Sequence, residues 1–389
     1  MLSVIFSIFL YITVYGISFL IFRAADKSST DKKTKQLMLL GILFLSLFAA
    51  LRDISIGVDT ADTIALYFED QHGRTISLKG ITDIINGDIV FVLISNVFHA
   101  LHLGSKSFLF LLEVLILTPI AVIAYIRREK VPISITMFLY LILYYQIGFN
   151  WIRQSIACAF LLLAVVYFQE KKYRNSCLMA VLSILFHSSA LIGIALFAYI
   201  YTFMRIRKRL FRLLFGGTFL ILFFFILLEW ETIFSWCIAQ GIFPPRYAGY
   251  LRVFSGQTTV ENWFYVGKRT YVDYLIRILL GAIPFIFSRR KQLFFDTKII
   301  DYYKAATILY LIIYSYVLLE MHSAYANRIT YALEYVQILS LGMCYAPSPS
   351  RRRCVPVRNI VIIWAAILYN VWLYYILGWH ATVPFLFCF

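Results

Sequence analysis

The chain has 389 residues, of which 61% are hydrophobic, 18% aromatic and 14% charged, with a mean hydropathy of +0.79. A soluble globular chain has nearer a quarter of its residues charged, and here apolar stretches able to cross a bilayer recur along the whole length, leaving no room for a large soluble domain. The net charge of +16 lies in short loops between apolar spans, where Lys and Arg set orientation; no nucleic-acid partner is expected, and the lipid bilayer is the first partner. The fold class is all-α: one polytopic transmembrane domain over residues 1–389.

Residues 2–22 form a first span, longer than a signal-peptide core and without a small-residue cleavage site, so it is retained. Arg23, Lys27, Lys32, Lys33 and Lys35 follow and are assigned to the cytoplasm. Residues 36–51 return outward to an outer-face segment, 52–106. Within that segment, 89–103 carries Asn96, His99 and His102 and is short for a crossing; parity makes it an interfacial or re-entrant helix. Residues 107–126 come in to Arg127, Arg128 and Lys130, 132–148 go out, and 152–168 come back to Lys171, Lys172 and Arg174.

Residues 176–203 read as one long span, yet the loop after them holds Arg205, Arg207, Lys208, Arg209 and Arg212, which one crossing would put outside. Two shorter helices meeting at His187-Ser188-Ser189 keep it inside. The first would rise roughly 18 Å, so its polar turn sits below the outer surface and faces a wet cavity, as broken helices at binding sites do. Residues 211–229 lead out to an outer-face loop, 230–270; 271–288, 303–320, 329–346 and 359–378 then alternate. The count is about twelve crossings with the split pair included, both termini lie outside, and most of the 36 Lys and Arg lie on the cytoplasmic side. The six cysteines have no paired or metal-like spacing, and no G-x-x-x-x-G-K-[ST] loop is present. No metal and no cofactor is expected.

The informative residues are the cations that oppose the orientation rule. Arg52 stands at the outer end of the second span, Arg153 opens another beside Gln154, Arg277 lies in the outer third of a span, and Arg328 follows Tyr325-Ala326-Asn327. Threaded this way, Arg52, Arg153, His187 and Arg328 reach one level on one side. A boundary charge costs several kcal/mol unless it meets water, a partner or a ligand. A single such arginine is routinely a snorkelling anchor; several with a histidine suit a multiply charged anion, above all a pyrophosphate, because guanidinium pairs bidentately with its oxygens. Asp59 and Thr60, in Gly57-Val58-Asp59-Thr60, fit a helix N-cap, and Asp59 also fits an acceptor for sugar hydroxyls. His187 fits either a core histidine or a general base. Trp151, Trp230, Trp236, Trp263 and Tyr325 read as an interface belt.

The ordered set Leu51-Arg52, Gly57-Val58-Asp59-Thr60, Arg153-Gln154-Ser155-Ile156-Ala157, Lys171-Lys172-Tyr173, Phe186-His187-Ser188-Ser189-Ala190 and Asn327-Arg328-Ile329 resembles the EpsG/Wzy-like family of bacterial polysaccharide polymerases, over roughly residues 50–341. The family often has tyrosine soon after its G-x-D-T, where this chain has Ala61-Asp62-Thr63. The resemblance implies a multi-pass plasma-membrane enzyme whose site faces the periplasm or cell exterior. Such an enzyme elongates O-antigen, capsular or exopolysaccharide from undecaprenyl-pyrophosphate-linked oligosaccharides. A chain-length regulator and a flippase are partners consistent with it. On this reading His187, Asp59 and Arg153 are catalytic, while Arg52, Thr60, Gln154, Arg277, Arg328 and Tyr325 bind pyrophosphate or sugar. Two rival readings stand beside it: a flippase or transporter for lipid-linked oligosaccharide, and an O-antigen ligase-type transferase.

Overall fold

The computed structural model describes residues 2–57, 59–61, 88–241, 268–287, 297–320, 327–345, 357–378 and 382–387. Among these residues the regular structure is helical, with one isolated β-bridge between Arg52 and Phe387. The helices are α1 (Leu2–Asp26), α2 (Asp31–Ala50), α3 (Asp88–Ala100), α4 (Ser105–Ile126), α5 (Ile133–Tyr140, continued through a π turn to Gly148), α6 (Ile152–Gln169), α7 (Tyr173–Phe186) and α8 (Ala190–Arg205). Then come α9 (Arg209–Leu228), α10 (Trp230–Ala239), α11 (Lys268–Phe287), α12 (Thr297–Glu320), α13 (Asn327–Glu334), α14 (Val336–Cys344) and α15 (Val357–Asn370, continued through a π turn to Ile376).

Among the described residues six stretches are long and apolar enough to cross a membrane: Ser3–Asp26, Asp31–Ala50, Ser105–Ile126, Ile152–Gln169, Arg209–Ile226 and Val357–Ile376. Ile133–Gly148, Tyr173–Phe186 and Ala190–Arg205 are shorter apolar helices. The expected boundaries recur with small extensions. Thr30 caps α2 by accepting the Lys33 N–H at 3.3 Å, which starts the helix ahead of residue 36. The expected span at 329–346 is two helices, α13 and α14, joined at Tyr335. The expected loop at 230–270 begins as a helix, α10, because Trp230–Ala239 is apolar enough to keep helical pairing. Residues 62–87 and 242–267 of the two expected outer segments lie outside the described residues.

Side-chain bonds sort the helix ends into two levels. At one level Asp26 accepts the Ile133 N–H at 2.7 Å, Asp31 accepts the Tyr125 hydroxyl, and Arg127 reaches Glu170 and Gln169, which also accepts the Tyr303 hydroxyl at 2.8 Å. This is the Lys171 end. At the other, Tyr11 donates to the Thr382 carbonyl at 3.0 Å, the Phe385 N–H to Ser7 Oγ at 2.7 Å and the Asp53 N–H to the Leu386 carbonyl at 2.9 Å. The C-terminal segment 382–387 is thereby wedged between α1 and α2, with Phe385 stacked on Phe48 at 4.6 Å between ring centroids. α6 lies at the centre of the bundle, α9 at its periphery with an almost wholly exposed apolar surface, the arrangement expected of a lipid-facing helix.

The antiparallel pair α6–α7 positions the site. Ser176 Oγ donates to the Ala164 carbonyl at 2.8 Å and Ser183 Oγ to the Ala157 carbonyl at 2.7 Å. That register, extended one turn, carries His187 to the level of Arg153. The chain breaks there, as expected, and α8 turns back. Gly193 lets α8 approach closely: a Cβ there would stand 2.9 Å from the Ala332 Cβ and closer still to Leu161.

Candidate functional site

The site is built on the corner Phe149-Asn150-Trp151 between α5 and α6. Gly57 has φ +86°, and a Cβ there would strike the Phe149 carbonyl, so only glycine lets the segment after α2 lie against that corner. The Asp59 N–H then donates to Asn150 Oδ1 at 2.7 Å, and Thr60 Oγ1 donates to the Phe149 carbonyl at 2.5 Å. Arg52 closes the corner from α2: its guanidinium lies 4.5 Å from the Phe149 ring centroid, donates to the Ala49 carbonyl at 2.6 Å and is within electrostatic reach of buried Glu113. Beside it, the Ser55 N–H and hydroxyl donate to Asp53 and hold its carboxyl below the usual range. Gly57→Ala is expected to dislodge the Asp59 segment, lowering stability by about 1–3 kcal/mol. A thermal midpoint equal to that of the parent would contradict this.

Arg153 stands in the first turn of α6, 6.0 Å from the Phe91 ring centroid. Phe91 in turn meets Phe186 edge-on at 6.0 Å, directly before His187. His187 has an extended backbone (φ −161°); its N–H donates to the Ser183 carbonyl at 3.1 Å, and its Nδ1 accepts the Ser189 N–H at 3.1 Å. Six of the expected site residues thus share one end of the bundle. They divide by exposure: Arg52 (2%), Thr60 (0%) and Gln154 (3%) are buried, whereas Asp59, Arg153 and His187 are partly exposed.

The two late expectations fall on the margins of the described chain. Arg328 lies in the first turn of α13, but its side chain is outside the described residues, as is all of Tyr325. The backbone still fixes the level of α13. Tyr331 meets Trp151 edge-on at 5.1 Å and lies 3.4 Å from Ser155 Oγ, and Gly342, further on, packs near Val131 at the Lys171 end. The start of α13 is therefore at the Arg153 end.

Arg277 is placed differently from its expected role. It is buried at 4% exposure, donates from Nε to Asp273 Oδ2 at 2.9 Å and from Nη1 to the Tyr310 hydroxyl at 2.9 Å and to Glu334 Oε1. The rings of Tyr314 and Tyr369 lie 5.0 and 5.2 Å from the guanidinium, and their hydroxyls donate to Asp273 at 2.7 Å and Glu334 at 3.0 Å. Its donors face protein carboxylates. A file of rings joins this cluster to the site: Trp151 to Tyr331, Tyr331 to Tyr335 at 4.9 Å, Tyr335 to Tyr144 at 4.7 Å, and the Tyr144 hydroxyl to the Glu334 carbonyl at 2.9 Å. Sequence reasoning missed Asp273 and Glu334. The first was readable as an i, i+4 partner of Arg277; the second, 57 positions away, carries no local signal.

Among the described residues no three His, Cys, Asp or Glu side chains converge as a metal site would need. No curated protein and no solved structure matches the chain. The family model described as the EpsG family matches residues 35–387, nearly the whole length, and together with the motifs and the helical membrane architecture this shows that the chain belongs to the EpsG family.

Proposed function

We propose that the chain is a polysaccharide polymerase of about twelve crossings that joins undecaprenyl-pyrophosphate-linked oligosaccharide units on the outer face of the bacterial plasma membrane. The observation that carries this reading is the sorting of one residue cluster by exposure: Asp59, Arg153 and His187 stay accessible on a frame of buried Arg52, Thr60 and Gln154. Arg153, at the positive end of α6, grips the donor pyrophosphate and stabilises the charge that develops as it leaves, with Arg328 as its partner. Buried Arg52 supports the Phe149 corner rather than gripping the acceptor. The bond broken is already activated as a pyrophosphate ester, so no nucleotide sugar enters.

The histidine geometry favours Asp59 over His187 as the base. A neutral imidazole whose Nδ1 accepts a backbone N–H carries its proton on Nε2, so His187 faces the substrate as a donor. The acceptor hydroxyl's proton then goes to the Asp59 carboxylate. Asp59→Asn is expected to cut the transfer rate about 10²–10⁴-fold, while His187→Gln, which keeps a donor, retains measurable transfer. The reverse ranking in purified, folded variants would assign the base to His187.

A flippase for the same lipid would also need arginines near pyrophosphate, and a ligase-type transferase would differ in its acceptor. Deleting the chain in its native cell separates these readings. A polymerase leaves single lipid-linked units accumulated on the outer leaflet with no polymer. Units trapped on the cytoplasmic leaflet would support the flippase, and normal polymer left unattached to its final acceptor would support the ligase.

A further inference from the structure

A cavity of about 790 Å³ opens at the Lys171 end of the bundle, between α6, α7, α8 and the start of α12. Its volume falls in the range of small-molecule sites, about 300–1,000 Å³, and it lies away from Arg153. The body is apolar, walled by Leu161, Ala164, Phe197 and Ile299, with the small side chains of Ala164, Ala180 and Ala198 leaving space between the helices. The rim is cationic: Lys171, Arg205 and Arg207. In the wall, Ser176 donates to the Ala164 carbonyl, Thr202 donates to the Ala198 carbonyl at 2.9 Å, and Gln169 Oε1 accepts from Arg127 and Tyr303 while its Nε2 has no hydrogen-bond partner among the described residues. Among the described residues none of the three rim cations pairs with a carboxylate; Arg205 lies 4.8 Å from the Tyr201 ring centroid.

Basic residues at this end set orientation, which accounts for their number. It does not account for three of them ringing an apolar hollow. We propose that the cavity is a binding site for an anionic phospholipid, with an acyl chain in the hollow and the phosphate at Lys171, Arg205 and Arg207. The shape of the charge selects the ligand class: a free phosphate would leave the apolar body unfilled, and a neutral lipid would leave the cations without a counter-charge. The bound lipid braces α7 against α8, the pair whose break carries His187, so it acts as a structural component of the site's frame. The inference does not depend on the reaction proposed above.

The test measures phosphatidylglycerol retained by the purified protein by native mass spectrometry, together with the rise in its thermal midpoint when the lipid is added in detergent. At about a factor of five per basic residue near a lipid head, Lys171→Gln/Arg205→Gln/Arg207→Gln is expected to bind roughly a hundredfold more weakly. Ala198→Trp, which fills the hollow and leaves every charge in place, is expected to lose retention as well. Lys27→Gln/Lys32→Gln/Lys33→Gln, with the same charge change elsewhere at that end, is expected to keep both signals, and inorganic phosphate is expected to give no midpoint shift. Equal retention by parent, rim and hollow variants, equal loss in the control triple, or full competition by inorganic phosphate would each overturn the proposal.

Discussion

Arg153→Ala is expected to abolish polymer in cells that still insert the protein normally, while single lipid-linked units persist. Arg153 is the one described arginine of the cluster that is partly exposed, and it sits in the first turn of α6, where no side chain caps the helix end. Removing one preorganised donor aimed at developing charge costs about 10²–10³ in rate; losing a full guanidinium from a pyrophosphate grip places Arg153→Ala at the upper end of that range or beyond. Arg153→Lys retains a charge without the bidentate fork, so it is expected to give short chains at reduced yield. Chain lengths equal to the parent's from Arg153→Ala, at matched protein levels, would remove Arg153 from the reaction.

Arg277 calls for a different outcome: a stability defect before any catalytic one. It is wedged between Asp273 and Glu334 and covered by tyrosine rings, so truncating it strands two buried carboxylates. Breaking a buried pair by removing one member costs about 3–5 kcal/mol. Arg277→Met is therefore expected to lower the thermal midpoint sharply, or to prevent recovery of a monodisperse protein in detergent. Neutralising all three charges in Asp273→Asn/Glu334→Gln/Arg277→Gln is expected to restore much of it. This cluster joins α11, α12, α13 and α15, and Glu334 closes the helix that begins at Asn327-Arg328, so it fixes that helix in the bundle. An Arg277→Met protein with an unchanged midpoint and no polymer would instead make Arg277 a substrate ligand.

Much of the helical layout was legible because apolar run length and the alternation of basic loops are both local. The break at His187-Ser188-Ser189 followed from the basic loop at Arg205–Arg212 alone, and the α6–α7 register then puts His187 level with Arg153. Other features needed three dimensions. Whether Arg52 is a ligand or a strut depends on the Phe149 ring beneath it, a residue far away in sequence. Thr60 reads as a cap and in the structure bonds the carbonyl of another helix corner. The outer-segment aromatics read as a belt at the membrane border, yet one of them, Trp151, packs edge-on against Tyr331, and Tyr144, Tyr331 and Tyr369, which no motif singles out, are fully buried and hydrogen-bonded between helices. Nor does sequence announce that the C-terminal segment returns to pair with Arg52 and Asp53, since no apolar period marks it.

The claim on which the account rests is that this one protein joins pyrophosphate-linked units without another catalyst. Purified protein in detergent, given a synthetic polyprenyl-pyrophosphate oligosaccharide of its own repeat unit and no nucleotide sugar, should yield a ladder spaced by one unit, and the Arg153→Ala protein should yield none. A folded parent protein that leaves the substrate as single units, or a ladder undiminished by Arg153→Ala, would contradict it.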